Sequence, residues 1–314
     1  MKTGPVAASL GALVFGAVGG VALRVVAEAG RNARKSDIAV HPARLTHSSA
    51  ALLAVSVLSD SALGHYRGSF ENPGMFAPLI SSTLALSAGA DGAMNASAAR
   101  CSFRRWSFAL SVGVGVTGLG FHVYNVFRRP GGLTWLNLFY GAPLGAPAAL
   151  AVSGLVGLAA ERISEQKARE PTLLGFSAGR VLAAMSGLAL AGTVMEAALF
   201  HFRGAFQNPF MWAPVTLPPV ASALMAKATV ERPALTHSFT RAWLWMTAAL
   251  GFIGVGFHAY GVSRAMGGWR NWSQNLIDGP PLPAPPSFSA LALTGLAALS
   301  LIETEANARD RQTA

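Results

Sequence analysis

The sequence predicts an all-α, polytopic integral membrane protein that consists largely of two copies of one four-helix unit. Charged residues make up 12% of the chain and hydrophobic residues 52%, whereas about a quarter of the residues in an ordinary soluble domain are charged. Apolar segments long enough to span a bilayer recur along the whole chain. A polar motif also occurs twice, and this repetition predicts two units of the same architecture.

The repeated motif lies at residues 65–78 and again at 201–214. The first copy reads HYRGSFENPGMFAP and the second reads HFRGAFQNPFMWAP, a shift of 136 residues. The same shift relates a GxGFHxY segment at residues 118–124 to one at 254–260. Because His, Arg, Asn and Pro stay in register while many apolar positions differ, we interpret the two halves as a gene duplication whose polar positions serve one shared geometry.

Reading the chain for apolar spans predicts about nine transmembrane helices. They begin near Val6, Ser48, Met75, Trp106, Phe139, Val181, Met211, Ala242 and Ser287. Spans two to five form the first repeat and spans six to nine the second. Since each repeat has an even number of spans, the two copies enter the membrane in the same direction, which makes them parallel repeats. The first span is an extra helix that we expect to be retained, since its apolar core is long for a signal peptide.

These spans divide the chain into five predicted segments. They are an N-terminal helix with its connector (1–46), the first repeat (47–162), a linker (163–180), the second repeat (181–304) and a C-terminal tail (305–314).

The distribution of basic residues predicts the orientation. Most Lys and Arg residues fall in the connectors after spans one, three, five and seven and in the C-terminal tail. By the positive-inside rule these segments are cytoplasmic, so the N-terminus lies outside a bacterial inner membrane and the C-terminus inside. The four repeated histidines are then expected at the outer face: His65, His122, His201 and His258.

Composition also excludes several functions. The net charge of +10 does not indicate nucleic-acid binding, because the basic residues occupy short connectors and form no stripe with interleaved aromatic residues. The single cysteine, Cys101, excludes an internal disulfide framework and a cysteine metal cage. No phosphate-binding loop or nucleophile motif is present. We therefore expect a redox subunit or another membrane protein without independent catalysis.

The repeated histidines are candidate ligands of haem b. Each repeat has one helix ending in His-aromatic-Arg-Gly and another ending in Gly-Phe-His, and two such helices place their imidazoles at similar depth, as bis-histidine ligation requires. The predicted pairs are His65 with His122 and His201 with His258. Glycines on spans four and eight would leave room for a porphyrin. The candidate partners of the propionates are Arg67, Arg128, Arg203 and Arg264.

This layout resembles that of polytopic subunits that carry b-type haem for a peripheral oxidoreductase, such as the membrane cytochromes b. The resemblance is one of layout and implies electron exchange with an extracytoplasmic oxidoreductase or a quinone. It implies no residue assignments.

Other roles for the same residues remain open. The histidines can serve structure alone, by bonding a carbonyl at a helix end. A non-haem metal site is a second alternative, in which the four histidines are joined by Asp60 and Glu196, two carboxylates that match across the repeats. A third alternative is a path for a small solute. His41, His47 and His237, which have no repeat counterparts, are expected to be solvated loop residues.

Overall fold

A computed structural model describes residues 40–96, 101–166, 170–231 and 237–313. Within these ranges the protein is all-α, with ten α-helices and one hairpin of two-residue strands. The helices are α1 (Val40–Arg67), α2 (Ala77–Met94), α3 (Ser102–Phe127), α4 (Trp135–Tyr140), α5 (Gly145–Gln166), α6 (Ala178–Arg203), α7 (Ala213–Val230), α8 (Ser238–Arg264), α9 (Trp272–Asp278) and α10 (Pro286–Thr313). The hairpin pairs β1 (Thr172–Leu173) with β2 (Phe176–Ser177).

Five of the described helices are long and apolar enough to cross a bilayer: α3, α5, α6, α8 and α10. The chain is therefore an integral membrane protein. The first predicted span, near Val6, lies outside the described residues.

Two short helices, α4 and α9, were not predicted from the sequence. The span predicted to begin near Phe139 instead starts at Gly145, because Phe139 belongs to α4. Thr134 caps α4 by accepting a hydrogen bond from the backbone N–H of Asn137 at 3.3 Å, and an extended Gly141 ends it. Each short helix thus precedes the entry of a long one, α5 or α10.

The core lies where the two halves meet. Helix α10 packs against α1, α6 and α8 and is buried on nearly every side between Phe288 and Leu299. Helix α1 packs against α2, α5 and α10, and α5 in turn contacts α6. The first long helix of each half therefore touches the last helix of the other half.

Serine hydroxyls bond the buried helices to one another. Ser49 of α1 donates to the carbonyl of Ala290 at 2.6 Å. Ser153 of α5 donates to the carbonyl of Ala50 at 2.8 Å, and Ser186 of α6 donates to that of Leu291 at the same distance. Such bonds satisfy hydroxyl groups that have no water available inside an apolar core.

Glycines allow the helix backbones to approach closely. A side chain at Gly115 of α3 would collide with the backbone of Pro147 and Ala151 in α5, whereas one at Gly113 would meet nothing within 4 Å. Close approach at small residues is the usual basis of helix packing in membranes. Gly115 is therefore a packing position and Gly113 is not.

We expect Gly115→Val to lower the stability of the folded protein by about 1 to 3 kcal/mol, since α3 and α5 must separate to admit the side chain. Gly113→Val is the matched control on the same helix and should change stability much less. Thermal unfolding in detergent, followed by intrinsic fluorescence, compares the two. Equal melting temperatures for the two variants would contradict this packing.

Candidate functional site

The four predicted histidines lie at one end of the helix bundle, which we name the histidine end. Successive long helices run in opposite directions, so α1, α3, α6 and α8 all finish at this end. His65 and His201 are in the last turn of α1 and α6. His122 and His258 lie about one and a half turns before the ends of α3 and α8. All four are half-buried.

Each histidine uses the same ring nitrogen to bond a backbone carbonyl. The Nδ1 atoms of His65 and His201 bond the carbonyls of Met75 and Met211, at 2.7 Å and 2.8 Å. His258 Nδ1 bonds the carbonyl of Pro281 at 2.7 Å, and His122 Nδ1 bonds that of Pro143. A carbonyl can only accept, so Nδ1 carries the hydrogen in all four rings and Nε2 of the neutral imidazole keeps its lone pair.

The Nε2 atoms of the four histidines are available to bind a ligand. None of the four has a hydrogen-bond partner among the described residues. His65 lies near enough to His122 for charges on the two rings to interact, and the same holds for His258 and His201. The histidines thus fall into two neighbouring pairs, one in each half.

A strained turn follows the first histidine in each half. Ser69 and Phe70 have left-handed backbone conformations, with φ of 54° and 49°. Ala205 and Phe206 repeat them, at 56° and 46°. Left-handed backbone costs a residue with a side chain roughly 1 to 2 kcal/mol, and such strain clusters at functional sites.

The strained turn places an aromatic ring beside the histidine. The Phe70 ring meets the edge of His65 at 6.2 Å and stacks on Phe76 at 4.5 Å. In the second half Phe206 meets His201 at 6.2 Å and stacks on Trp212 at 4.1 Å. The backbone strain is therefore accompanied by ring packing that orients the imidazole.

Other residues of the motif have structural roles. Asn72 accepts a hydrogen bond from the N–H of Gly74 at 2.8 Å, and Asn208 accepts one from Phe210 at 3.0 Å. Both asparagines thereby cap the one-turn 3₁₀ helices at Pro73–Phe76 and Pro209–Trp212. These structural roles leave the histidine Nε2 atoms as groups that the local structure does not use.

The four candidate propionate partners have different surroundings. Arg67 pairs with Asp278 at 2.9 Å in an exposed salt bridge, and Arg203 donates to the carbonyl of Phe139 at 3.2 Å. Each of these arginines thus joins the end of one half to the short helix region of the other. Arg264 donates to the hydroxyl of Tyr260 at 3.2 Å. Arg128 lies over the Tyr124 ring, 5.9 Å from its centre.

The glycines predicted to make room for a porphyrin divide into two groups. Those that share a helix face with the histidines are covered by neighbouring helices: Gly115 and Gly118 by α5, and Gly251 and Gly254 by Pro285 and Ser289. Side chains at Gly113, Gly120 and Gly256 would meet nothing within 4 Å. Since Gly120 is about 200° around the helix from His122, this open surface faces away from the imidazole.

The two candidate carboxylates lie near each other between the halves. Asp60 and Glu196 are close enough for their charges to interact, and both are half-buried. Glu196 accepts a hydrogen bond from the N–H of Gly145 at 3.0 Å. The corresponding residue of the second half is Pro283, which has no N–H to offer Asp60. The two carboxylates are therefore equivalent in position but not in bonding.

Within the described residues no three His, Cys, Asp or Glu side chains are arranged to hold a metal ion. The six predicted metal-ligating residues therefore do not form one preformed cluster. They occupy the two histidine pairs and the separate pair of carboxylates.

A buried ionic cluster at the opposite end of the bundle was not predicted. Arg104 and Glu161 are 1% and 3% exposed, and Arg104 Nε donates to Glu161 Oε1 at 2.6 Å. A second guanidinium nitrogen of Arg104 donates to Asp91 at 2.9 Å. His47 Nε2 lies 3.3 Å from the same Glu161 oxygen. The available sequence signal was that Arg104 is the third residue of α3 and that Glu161 lies inside α5, five residues before its end.

The interpretation of His47 as a solvated loop residue was wrong. It is fully buried within α1, its ring packs against Gly92, and it stacks on Phe108 with ring centres 6.0 Å apart. His237 is also removed from solvent, with 12% of its side chain exposed and Glu303 3.6 Å away. The sequence alone places these histidines in or beside connectors, and it does not show that carboxylates of other helices lie next to them.

We expect Glu161→Gln to destabilise the protein by about 3 to 5 kcal/mol, because it leaves the buried Arg104 guanidinium without its nearest anion. The double variant Arg104→Met with Glu161→Leu should regain most of this loss, since both charges are then removed together. Glu165→Gln, whose partner Arg105 is half exposed, is the control and should cost at most about 1 kcal/mol. Denaturant or thermal unfolding in detergent measures all three, and a double variant no more stable than Glu161→Gln would refute this account.

No protein family, curated protein or solved structure matches this chain. The functional argument therefore depends on the geometry of the histidine end.

Proposed function

We propose that the protein is an integral membrane electron-transfer or anchor subunit that binds haem b through its paired histidines. His65 with His122, and His201 with His258, would supply the axial ligands, one haem in each half. The observation that carries this proposal is the common use of Nδ1. A histidine that ligates a metal through one nitrogen nearly always donates from the other to a carbonyl, carboxylate or water, which fixes the tautomer and the ring orientation.

The donor set suits haem. Neutral imidazole is a usual axial ligand of haem iron, and all four rings offer an Nε2 lone pair while their Nδ1 atoms are held. The phenyl rings of Phe70 and Phe206 at the histidine edges provide the apolar surroundings that raise the cost of a charged imidazole. The glycines on the histidine face are covered by α5 and by Pro285 and Ser289, so they do not supply the space for a porphyrin that the sequence suggested.

The gene duplication belongs to the same proposal. Both halves hold the histidine rings, the asparagine caps and the strained turn in the same way. Asn137 donates to the carbonyls of Pro130 and Gly132, and Asn275 donates to those of Met266 and Gly268. These corresponding bonds support two parallel four-helix repeats. The additional first helix and the total of about nine spans stay predictions from the sequence.

Bound haem would give the protein one-electron redox chemistry at the histidine end. With the C-terminus in the cytoplasm of a bacterial inner membrane, as the basic residues predict, that end faces outward. An extracytoplasmic oxidoreductase or a quinone at the interface is then the redox partner. The outer surface of the helix bundle contacts the lipid bilayer. Exposed aromatic residues such as Tyr66, Tyr124 and Tyr260 are typical of the membrane interface.

The absorption spectrum of protein purified from haem-replete cells tests this function. We expect a Soret band and an α-band that sharpens on reduction by dithionite, with two haems per chain in a pyridine haemochrome assay. His122→Ala and His258→Ala should each remove about one haem. His237→Gln, at the opposite end, is the control and should retain both. A colourless wild-type protein, or equal loss in the control, would refute the haem proposal.

A second candidate is a non-haem metal or solute site, and the carboxylate pair favours it. Asp60 and Glu196 are close enough for their charges to interact, and an ionised carboxylate inside a membrane costs several kcal/mol unless it has a partner. A divalent cation between them would supply that partner. The Ser56 hydroxyl lies one turn before Asp60 on α1 and already bonds Ser287 at 3.0 Å.

For this second candidate we expect a colourless protein with a stoichiometric divalent metal by elemental analysis. Asp60→Asn should remove the metal, because only the carboxylate charge is lost. Glu165→Gln, a carboxylate change at the opposite end, is the control. Retention of metal in Asp60→Asn would contradict a site between these two carboxylates.

A further inference from the structure

A basic cavity lies at the histidine end of the first half, just beyond α3. Asn125, Arg128, Arg129, Pro130 and Ala142 line an open cavity of about 450 Å³. Asn125 is one turn before the two arginines, which directly follow the end of α3, so the three polar side chains lie close together at the C-terminal end of that helix. The position is where a helix of this length leaves the hydrocarbon region and meets lipid headgroups.

The two arginines have donors to spare. Among the described residues, neither guanidinium has an ion-pair or hydrogen-bond partner, and Arg128 only lies over the Tyr124 ring at 5.9 Å. Both side chains are exposed. Two guanidinium groups beside an amide present the planar N–H pairs that bind phosphate oxygens.

The second half has a related turn at this place, two residues longer and with a 3₁₀ helix at Gly268–Asn271, and its side chains differ. Asn137 and Asn275 donate hydrogen bonds to corresponding carbonyls of the preceding turns. The side chains at matching positions of the two turns can therefore be compared. The positions of Asn125, Arg129 and Ala142 are taken by Gly261, Ala265 and Pro280. The Pro280 ring packs over Gly261, where a side-chain carbon would meet it at 2.9 Å.

The remaining arginine of the second half is also engaged. Arg264, the counterpart of Arg128, donates to the Tyr260 hydroxyl at 3.2 Å, whereas Arg128 makes no such bond to Tyr124. The first half therefore has an additional basic group, an amide and an open cavity, and at the matching place in the second half a proline ring covers the helix face.

We infer that this cavity of the first half binds an anionic phosphate group, with Arg128, Arg129 and Asn125 as its donors. The phosphate comes from the headgroup of an anionic phospholipid or from a soluble phosphate. The inference uses none of the histidines, and of its donors only Arg128 is also a candidate propionate partner. The test therefore changes Arg129 and Asn125.

Native mass spectrometry of the detergent-purified chain tests the inference, with phosphatidylglycerol and phosphatidylcholine added at equal concentrations. We expect the wild type to retain phosphatidylglycerol preferentially. Arg129→Ala and Asn125→Gly, which install the second-half residues, should weaken its retention, by about tenfold for the arginine. Arg264→Ala, which removes the counterpart of Arg128 in the other half, is the matched control and should retain the lipid as the wild type does.

Competition with inorganic phosphate separates the two sources. If millimolar phosphate displaces the lipid, the cavity recognises the phosphate group alone. If phosphate does not displace it, the ligand is the lipid headgroup. The substituted side chains are exposed, so the elution volume and melting temperature of each variant should match those of the wild type. Unchanged retention in Arg129→Ala, equal loss in Arg264→Ala, or equal retention of both lipids would overturn the proposal.

Discussion

The hydrogen bond from each histidine Nδ1 to a backbone carbonyl is the interaction on which the histidine end depends. It ties α1 to the entry of α2, and α3 to the entry of α5, with the same two ties in the second half. These entries are turns rich in proline and glycine, and each histidine supplies one of their carbonyls with a side-chain donor. The carbonyl of Pro281 also accepts a hydrogen bond from the N–H of Ala284 at 3.3 Å. The histidine bonds therefore stabilise the fold and, at the same time, leave the four Nε2 atoms without a hydrogen-bond partner among the described residues.

The strain of the neighbouring turn supports a function for this arrangement. A turn needed only to reverse the chain would place glycine at the left-handed positions. Here Ser69 with Phe70, and Ala205 with Phe206, occupy them. The phenyl ring gained by this choice lies nearly perpendicular to the histidine ring, and the two halves keep it although the preceding residue differs. The cost in backbone energy is thus tied to the surroundings of the imidazole.

The sequence predicted the all-α membrane fold, because composition and the spacing of apolar segments reflect the demands of a bilayer directly. It also brought attention to the four histidines, since their register across the halves is visible without a structure. It failed for α4, α9 and the buried Arg104, Glu161 and His47 cluster. Six- and seven-residue helices have no periodicity long enough to detect, and an ionic partner on a distant helix cannot be identified from spacing alone.

The glycine positions show the same limit. Sequence alone did not distinguish Gly115, which admits the α5 backbone, from Gly113, which faces open space, although the two are adjacent in the pattern. Only the packing of the neighbouring helix assigns them. The histidine donors stay a prediction of the haem site, whereas the glycines predicted to line it on the histidine face are covered by neighbouring residues.

The central claim is that each pair of Nε2 atoms ligates one haem iron. Electron cryo-microscopy of the protein purified from haem-replete cells tests it most directly. Our account predicts planar density between His65 and His122, and again between His201 and His258, with Nε2 directed at its centre and Nδ1 still bonded to the carbonyl. Imidazoles whose Nε2 atoms meet only lipid or neighbouring side chains, with no density between them, would contradict it.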